Sequence, residues 1–520
     1  MVDTKKEQER DELHRAIWAI ADELRGAVDG WDFKNYVLGT MFYRYISENM
    51  CNYINSGEIY AGNTDFDFAK MPDEDAEEAR EGLVEEKGFF ILPSELFCNV
   101  RANAANDENL NETLERVFRH IEESAKGSEA ESDFAGLFDD YDVNSNKLGS
   151  TVAKRNEKLV KLLNGVGEMN LGDVKDHSID AFGDAYEYLM TMYASNAGKS
   201  GGEFFTPADV SELLTRLGTI GKTEINKVYD PACGSGSLLL KAEKILGKDA
   251  IRNGFYGQEI NITTYNLCRI NMFLHDVEFD KFDIACEDTL LSPQHWDDEP
   301  FELIVSNPPY SIKWAGDENP LLINDPRFAP AGVLAPKSKA DMAFIMHSLS
   351  WLASNGTAAI VCFPGIMYRG GAEQKIRKYL VDNNYVDCVI QLPSNLFFGT
   401  SIATCIMVMK KNKADNKTLF IDATSECVKV TNNNKLTPEN IDRIVDVFAK
   451  REEVEHFAYL ASYEEVSGND YNLSVSTYVE AEDTREKIDI VKLNAEIKEI
   501  VAREQVLRDE IDKIIAEIEV

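Results

Sequence analysis

Asn307-Pro308-Pro309-Tyr310 comes at the end of a short apolar run, residues 301–305. The run is short and β-branched, which predicts a buried strand. A chain that leaves a parallel strand at its carboxyl end enters the crevice where α/β sheets bind ligands. Two prolines there fix φ twice and remove two N–H donors, so their carbonyl groups and the Asn307 amide are left to accept hydrogen bonds. Taken alone, the four residues predict either a ligand-binding corner or an ordinary proline turn.

The corner suits the exocyclic amine of a nucleobase or the nitrogen of an amide. Such a nitrogen carries two hydrogens and is a poor nucleophile, because its lone pair is delocalised. The side-chain oxygen of Asn307 and the carbonyl oxygen of Pro308 could accept both hydrogens and draw the nitrogen toward a tetrahedral shape. Tyr310 offers a flat face on which a planar group can stack. The candidate catalytic residues are therefore Asn307, Pro308, Pro309 and Tyr310.

Composition limits the functions that this chain can have. Its 520 residues predict roughly three domains. The net charge of −37 argues against a chain that grips nucleic acid over a broad surface by itself, because phosphate contacts dominate such binding. If the substrate is DNA, another protein should supply much of the positive surface; the alternative is a protein or small-molecule substrate. Nine scattered cysteines without a C-x-x-C pair indicate neither disulfides nor a zinc cluster, and no signal peptide or membrane span is visible, so a cytoplasmic protein is predicted.

The order of predicted elements indicates an α/β protein with additions at both ends. Residues 1–170 are predicted to form an all-helical N-terminal domain. Residues 171–475 alternate strands with helices, which predicts a Rossmann-like, doubly wound, mostly parallel sheet. The last strands have no long helix between them, so an antiparallel edge hairpin is expected. The predicted strands are 225–229, 255–258, 282–285, 302–305, 358–363, 386–392 and 402–409, and the predicted helices are 237–245, 261–274, 341–353 and 372–383.

The C-terminal segment, residues 476–520, carries a heptad pattern. Its apolar residues alternate spacings of four and three, with Glu504 as the single interruption. The pattern predicts a coiled-coil helix that seeks a partner helix; the alternative is an intramolecular hairpin or a terminal helix docked on its own domain. The seam consists of Leu493, Ile497, Ile500, Leu507, Ile511, Ile514 and Ile518.

A glycine-containing turn and two acids predict a nucleoside pocket. Residues 230–237, Asp-Pro-Ala-Cys-Gly-Ser-Gly-Ser, follow the first predicted strand and open a helix, and the glycines allow close approach of the backbone to a ligand. The turn lacks the Gly-Lys-Ser/Thr ending of a P-loop and is not G-x-G-x-x-G. Asp230 suits a cationic or amino group, Glu259 at the end of the second strand suits ribose hydroxyls, and Asp288 after the third suits an adenine amine. Together they predict a nucleoside with an amino-acid tail.

These motifs resemble those of S-adenosylmethionine-dependent amino-methyltransferases. Cofactor motifs precede the Asn-Pro-Pro-Tyr motif, as in one group of adenine-N6 DNA methyltransferases, and Glu203-Phe204-Phe205-Thr206-Pro207 lies before the glycine turn. Residues 30–39, residues 331–337 and the C-terminal heptads are similar to the modification subunit of type I restriction-modification systems. The resemblance covers nearly the whole chain.

The resemblance implies a role for each site residue. Asn307 and Pro308 would bind the amine of a flipped adenine, Tyr310 would stack on the base, and Phe397 would be the second aromatic wall, with Phe398 as its rival. Pro309 completes the catalytic motif. No metal is needed, because the sulfonium is already a strong electrophile. The residues assigned to the cofactor are Glu203, Phe204, Phe205, Thr206, Pro207, Asp230, Gly234, Ser235, Gly236, Ser237, Glu259 and Asp288.

The resemblance also implies partners. A separate specificity subunit would read the DNA sequence, normally with two modification subunits to one, and a restriction subunit would be a further partner where one is present. The substrate would be double-stranded DNA with a flipped adenine. Protein glutamine methylation, RNA guanine methylation and a non-catalytic assembly role stay open as alternatives. A basic face for phosphates, or else solvated salt bridges, is predicted from Arg327, Lys337, Lys339, Arg369, Lys375, Arg377 and Lys378.

Overall fold

The chain forms two compact units, Met1–Val479 and Glu480–Val520. The computed structural model describes residues 2–24, 30–171, 180–196, 206–316, 319–397, 400–430, 433–480 and 490–518. None of the helices within these ranges is both long and apolar enough to cross a membrane.

The N-terminal region is helical, as predicted. Apolar residues at helical spacing form a buried face, as in the helix Leu110–Ser124, where Leu110, Leu114, Val117 and Ile121 are all buried. The second helix begins at Gly30. The helices are α1 Val2–Leu24, α2 Gly30–Tyr60, α3 Asp73–Glu77, α4 Arg80–Lys87, α5 Phe97–Asn103, α6 Leu110–Ser124, α7 Glu131–Phe134, α8 Val152–Glu168 and α9 Ala181–Asn196.

A nine-stranded sheet forms the centre of the first unit. Its strands are β1 Val228–Asp230, β2 Phe255–Gln258, β3 Phe282–Ala285, β4 Phe301–Ser306, β5 Leu352–Cys362, β6 Val386–Gln391, β7 Cys405–Lys410, β8 Thr418–Asp422 and β11 Ala458–Ala461. A separate hairpin joins β9 Val428–Val430 to β10 Asn433–Lys435. The helices of this region are α10 Ala208–Thr219, α11 Ser237–Leu246, α12 Ile262–Leu274, α13 Asp341–Trp351, α14 Ala372–Asp382, α15 Pro438–Lys450 and α16 Tyr463–Gly468.

The strand order confirms the predicted doubly wound α/β fold. The sheet runs β3-β2-β1-β4-β5-β7-β6-β8-β11. Every pair of neighbouring strands within β1 to β5 is parallel. The order reverses between β1 and β4, which makes this pair the topological switch point. Ligands of open α/β sheets bind outside the carboxyl ends of the strands at such a point. The ends of β1 and β4 carry Asp230 and Ser306-Asn307.

The predicted antiparallel pairing of the last two predicted strands is correct, but the predicted position at the edge of the sheet is wrong. β7 pairs antiparallel with both β5 and β6, so it lies inside the sheet. β8 pairs parallel with β6, and β11 pairs antiparallel with β8, which moves the edge two strands outward. The sequence analysis missed both outer strands, β8 and β11, which α15 separates in the chain.

The helical region packs against the sheet region through α12. The buried guanidinium of Arg269 donates from Nη1 to the carbonyl oxygens of Ser132, Asp133 and Ala135, at 2.8, 3.1 and 3.0 Å. One hydrophobic cluster contains residues of both regions. The predicted limits of the three domains, at residues 170 and 475, stay a prediction.

The second unit contains α17, Ile490–Ile518. A C-terminal helix is therefore confirmed. No residue of this helix is buried, and the seven apolar seam residues are 44–77% exposed.

Candidate active site

The ends of β1 and β4 are joined by a hydrogen bond between side chains. Ser306 donates from Oγ to Oδ1 of Asp230 at 2.6 Å, and the backbone N–H of Ala232 donates to the same oxygen at 2.9 Å. Asp230 is only 2% exposed. Burial raises the pKa of Asp230 to about 7, with a smaller upward contribution from Glu259 that the two hydrogen bonds oppose. A nearby cationic group would stabilise the carboxylate, as the sequence analysis expects of a ligand here.

The glycine turn presents its backbone and has little room for side chains. Gly234 and Gly236 have positive φ angles of 55° and 78°. A Cβ atom on Gly236 would lie 2.7 Å from Sγ of Cys268 on α12. The carbonyl oxygen of Ser235 accepts a hydrogen bond from Nδ2 of Asn271 at 2.8 Å, which holds the turn against the same helix. Ser237 begins α11 directly after the turn. This cradle fits the close approach of a ligand to the backbone.

Glu259 lies against the glycine turn. Its Oε2 accepts the N–H of Gly234 at 3.2 Å, and its Oε1 accepts the N–H of Asn261 at 2.8 Å. Burial raises its pKa, and the hydrogen bonds from the backbone oppose that shift. Each carboxylate oxygen keeps a second lone pair. Two neighbouring hydroxyl groups, as on a ribose, are therefore suitable donors to this side chain.

Asp288 lies in a turn that is attached to the glycine turn. Its Oδ1 accepts the N–H groups of Leu290 and Leu291 at 2.9 and 3.2 Å. The hydroxyl of Thr289 donates to the carbonyl oxygen of Pro231 at 2.6 Å. The structure thus brings Asp230, the glycine turn and Asp288 together at the carboxyl ends of β1 to β3.

Two exposed apolar side chains beside the acids were missed by the sequence analysis. Ile260 follows Glu259 and is 68% exposed, and Leu291 lies three residues after Asp288 and is 47% exposed. Apolar side chains at such positions are suitable neighbours for a flat base. For Ile260, the signal available in the sequence was an apolar residue directly after an acid at a strand end; Leu291 has no such signal.

The Asn-Pro-Pro-Tyr corner is attached to the segment before α10. Nδ2 of Asn307 donates to Oγ1 of Thr206 at 3.2 Å, and Pro207 follows as the N-cap of α10. The hydroxyl of Tyr310 donates to Oδ1 of Asn307 at 2.5 Å. Burial raises the pKa of Tyr310 well above its usual value, so the hydroxyl stays a donor. Pro308 is buried and Pro309 is half-buried.

Phe397 lies beside Tyr310. The two ring centroids are 6.5 Å apart and the rings are nearly perpendicular, at 88°. Phe397 is 3% exposed, so it supports Tyr310 from the interior in this form. Phe398, its rival for the second aromatic wall, lies outside the described residues, as do Glu203, Phe204 and Phe205.

Two of the predicted phosphate-binding residues are buried, so for them the prediction is wrong. Arg327 and Arg377 are each 1% exposed, and both guanidinium groups donate to backbone carbonyl oxygens. A buried, fully oriented guanidinium is not available to DNA. Arg369 and Lys378 pair with Glu373 and Asp382, one helical turn away.

One group of side chains in the described part of the chain could in principle hold a metal ion. Asp283, His295 and Asp298 place donor atoms within 4.8 Å of one another. Nζ of Lys227 lies 3.7 Å from Oδ1 of Asp298 and already supplies a positive charge there. None of these three residues belongs to the site described above. The expectation that catalysis needs no metal stays a prediction.

Gly236→Ala should weaken binding of S-adenosylhomocysteine at least about tenfold. The new Cβ would require α12 or the glycine turn to move. The matched control is Gly221→Ala, because Gly221 has a similar φ of 73° but no atom within 4 Å of its Cβ position. Both variants carry the strain of a positive φ, about 1 kcal/mol. Calorimetric titration measures the two affinities, and equal loss in both variants would show that the cradle plays no part.

Asp230→Asn should raise the melting temperature relative to the unchanged chain, and the gain should grow as pH rises from 5 to 8. The native carboxyl has a raised pKa of about 7, so the native state holds a proton there that the unfolded state releases from about pH 4 upward. Stability is lost as pH rises through this window, and a neutral amide avoids that loss. Melting curves at several pH values test this, with a gain of roughly 2 °C or more at pH 8. A difference that is independent of pH would contradict it.

Comparisons with known proteins identify the family of this chain. Residues 177–487 match the family model described as N-6 DNA Methylase, and residues 13–166 match the HsdM N-terminal domain. The methylase subunit of the type I restriction enzyme MpnII of Mycoplasma pneumoniae is 50% identical, over 100% of this chain and 98% of that protein. The HindI methylase subunit of Haemophilus influenzae is 32% identical over 64% of this chain and 77% of its own length.

A solved structure matches over most of the length. The type I restriction-modification methyltransferase subunit from Streptococcus thermophilus is 35% identical, with a TM-score of 0.80, over 91% of this chain and 100% of that one. The chain therefore belongs to the N-6 DNA methylase family and is a methylase subunit of the type I restriction-modification kind, an S-adenosylmethionine-dependent methyltransferase.

Proposed function

We propose that this chain methylates the N6 amine of an adenine that has been turned out of double-stranded DNA. The observation that carries the proposal is the position of Asn307. Its amide is held between two hydroxyl groups, that of Thr206, which precedes the glycine turn in the chain, and that of Tyr310. An oriented acceptor between a proposed cofactor segment and an aromatic residue can present a base amine to a methyl donor.

Asn307 and Pro308 would prepare the amine. Because Nδ2 of Asn307 donates to Thr206, the amide is oriented with Oδ1 toward Tyr310. Oδ1 would accept one N–H of the base, and the carbonyl oxygen of Pro308 would accept the other. Tyr310 now uses one lone pair of Oδ1, and its ring would turn from this contact to stack on the base. The amine proton would leave to water.

The residues at the ends of β1 to β3 would hold the methyl donor. The glycine turn would contact its amino-acid tail, Glu259 the ribose hydroxyls and Asp288 the adenine amine. Thr206 and Pro207 would line the methionine end, next to Asn307. When bound, S-adenosylmethionine supplies an electrophilic methyl group, so the chain itself needs to orient the acceptor and exclude water.

Sequence recognition would come from a separate specificity subunit. The net charge of −37 is consistent with a chain that borrows its DNA affinity. This chain also resembles a solved chain, with a TM-score of 0.66 and 18% identity, from a structure described as the basis of complex assembly and conformational transition of the type I R-M system. We infer an assembly of two modification subunits and one specificity subunit in the cytoplasm, joined by a restriction subunit where one is present, with α17 as one docking element.

Asn307→Ala should lower methyl transfer to DNA at least about 100-fold while leaving the affinity for S-adenosylhomocysteine unchanged. The reason is that the variant loses an acceptor for the amine but no part of the proposed nucleoside pocket. Asn355→Ala is the control, because Asn355 bonds Glu302 at the opposite end of β4. Tritiated methyl transfer by the complex with its specificity subunit gives the rate, and mass spectrometry identifies the product. Full activity of the variant, or methylated glutamine or guanine as the product, would overturn the proposal.

Leu507→Glu with Ile511→Glu should weaken association with the specificity subunit at least about tenfold. Both side chains lie on the seam of α17 and are 53% and 55% exposed. A coiled-coil partner would have to bury the two new charges. Ala502→Glu with Gln505→Glu adds the same charge off the seam and serves as control. Co-purification of tagged, co-expressed subunits is the measurement; equal binding by both double variants would exclude the seam as the docking surface.

A further inference from the structure

Arg327 lies in the segment that follows the Asn-Pro-Pro-Tyr corner. The chain leaves Tyr310, makes an excursion and returns to α13 at Asp341. Two backbone hydrogen bonds close the excursion at its base, from Trp314 N to Lys337 O and from Ala340 N to Ile312 O, each 3.0 Å. Residues 319–340 of this excursion are described, and we refer to them as the post-corner segment.

The guanidinium of Arg327 is fully engaged. Nε and Nη2 donate to the two carboxylate oxygens of Asp325 at 3.0 and 2.7 Å. Nη1 donates to the carbonyl oxygen of Thr289 and Nη2 to that of Leu290, both at 2.8 Å. Nη1 also lies 3.2 Å from Nδ1 of His347. Such a planar fork orients all of its partners at once, which a lysine ammonium cannot do.

These partners belong to the proposed cofactor pocket. Thr289 and Leu290 form the turn that carries Asp288, and Thr289 also bonds the glycine turn at Pro231. Burial lowers the pKa of His347 well below its usual value, so the ring is neutral; Nδ1 accepts from Arg327, and Nε2 donates to the hydroxyl of Tyr229 at 2.9 Å. Tyr229 directly precedes Asp230. Arg327 is thereby connected to two of the loops at the carboxyl ends of the strands.

We propose that Arg327 is a positioning residue that couples the cofactor pocket to the post-corner segment. The proposal rests on the proposed function, because it takes Asp288 as a cofactor ligand. A ligand that orders the Asp288 turn would, through the two carbonyl groups, order the segment that starts beside Tyr310. Cofactor occupancy would then prepare the side of the site that meets the base.

Hydrogen exchange of the full chain with and without S-adenosylhomocysteine tests this coupling. In the unchanged protein, saturating ligand should slow exchange in residues 319–340 at least about threefold, as well as in the glycine turn. Arg327→Lys should raise the dissociation constant about tenfold or more, since hydrogen bonds to two carbonyl groups are lost. At saturating ligand it should keep protection of the glycine turn and lose protection of the post-corner segment.

Arg377→Lys is the matched control. Arg377 is as buried as Arg327 and also donates to two carbonyl groups, those of Tyr471 and Ile366, but neither belongs to the cofactor pocket. This control should lose thermal stability while keeping both protections. If Arg327→Lys does not fold, Asp325→Asn weakens the same fork and keeps the arginine, and partial loss of segment protection is expected.

The outcomes separate the coupling from the proposed function. Ligand binding without protection of residues 319–340 in the unchanged protein would overturn the coupling alone. Loss of that protection in Arg377→Lys as well would show a general effect of destabilisation and would also overturn it. No binding of S-adenosylhomocysteine by the unchanged protein would overturn both the coupling and the proposed function.

Discussion

The hydrogen bond between Ser306 and Asp230 marks the constraint on which this site depends. It joins the ends of β4 and β1, the two parallel strands between which the strand order reverses. Because the chain diverges on both sides of that pair, the turns after β1 and β4 face one crevice. The glycine turn and Asn307 follow these two strands. The sheet therefore brings the proposed nucleoside pocket and the proposed amine-binding corner together, although the two motifs are far apart in the sequence.

Thr206 and Arg327 tie this crevice together from two other parts of the chain. Thr206 precedes the glycine turn and accepts a hydrogen bond from Asn307, which fixes the direction of the amide. Arg327 follows the corner and bonds the turn of Asp288. The proposed donor side and acceptor side are thus cross-connected. In a transfer between two bound groups, such connections keep the reacting atoms in register, and small displacements of either group would be expected to affect both.

The sequence analysis succeeded where one residue type at a strand end has a strong local meaning. β2 and β3 have the predicted limits, and Glu259 and Asp288 lie at the ends of these strands. Gly236 has the positive φ that a glycine turn requires. The sequence analysis failed where it took a charged side chain as a sign of exposure. Arg327 and Arg377 were predicted to belong to a basic face, but the fold buries their guanidinium groups, which donate to backbone carbonyl oxygens. The exposed Ile260 and Leu291 were missed because the local sequence around an apolar residue does not show that its side chain is exposed.

The sequence by itself determined seven strands of the sheet, the glycine turn, the acids near the strand ends, the Asn-Pro-Pro-Tyr corner and the heptad seam of α17. These follow from local periodicity and from the conformations that glycine and proline allow, which depend on near neighbours in the chain. Only the tertiary structure decided which elements meet. The position of β7 inside the sheet, the contact of Asn307 with Thr206 across 101 residues, and the perpendicular rings of Tyr310 and Phe397 depend on long-range packing. No local pattern encodes such contacts, because each joins residues that are far apart in the chain.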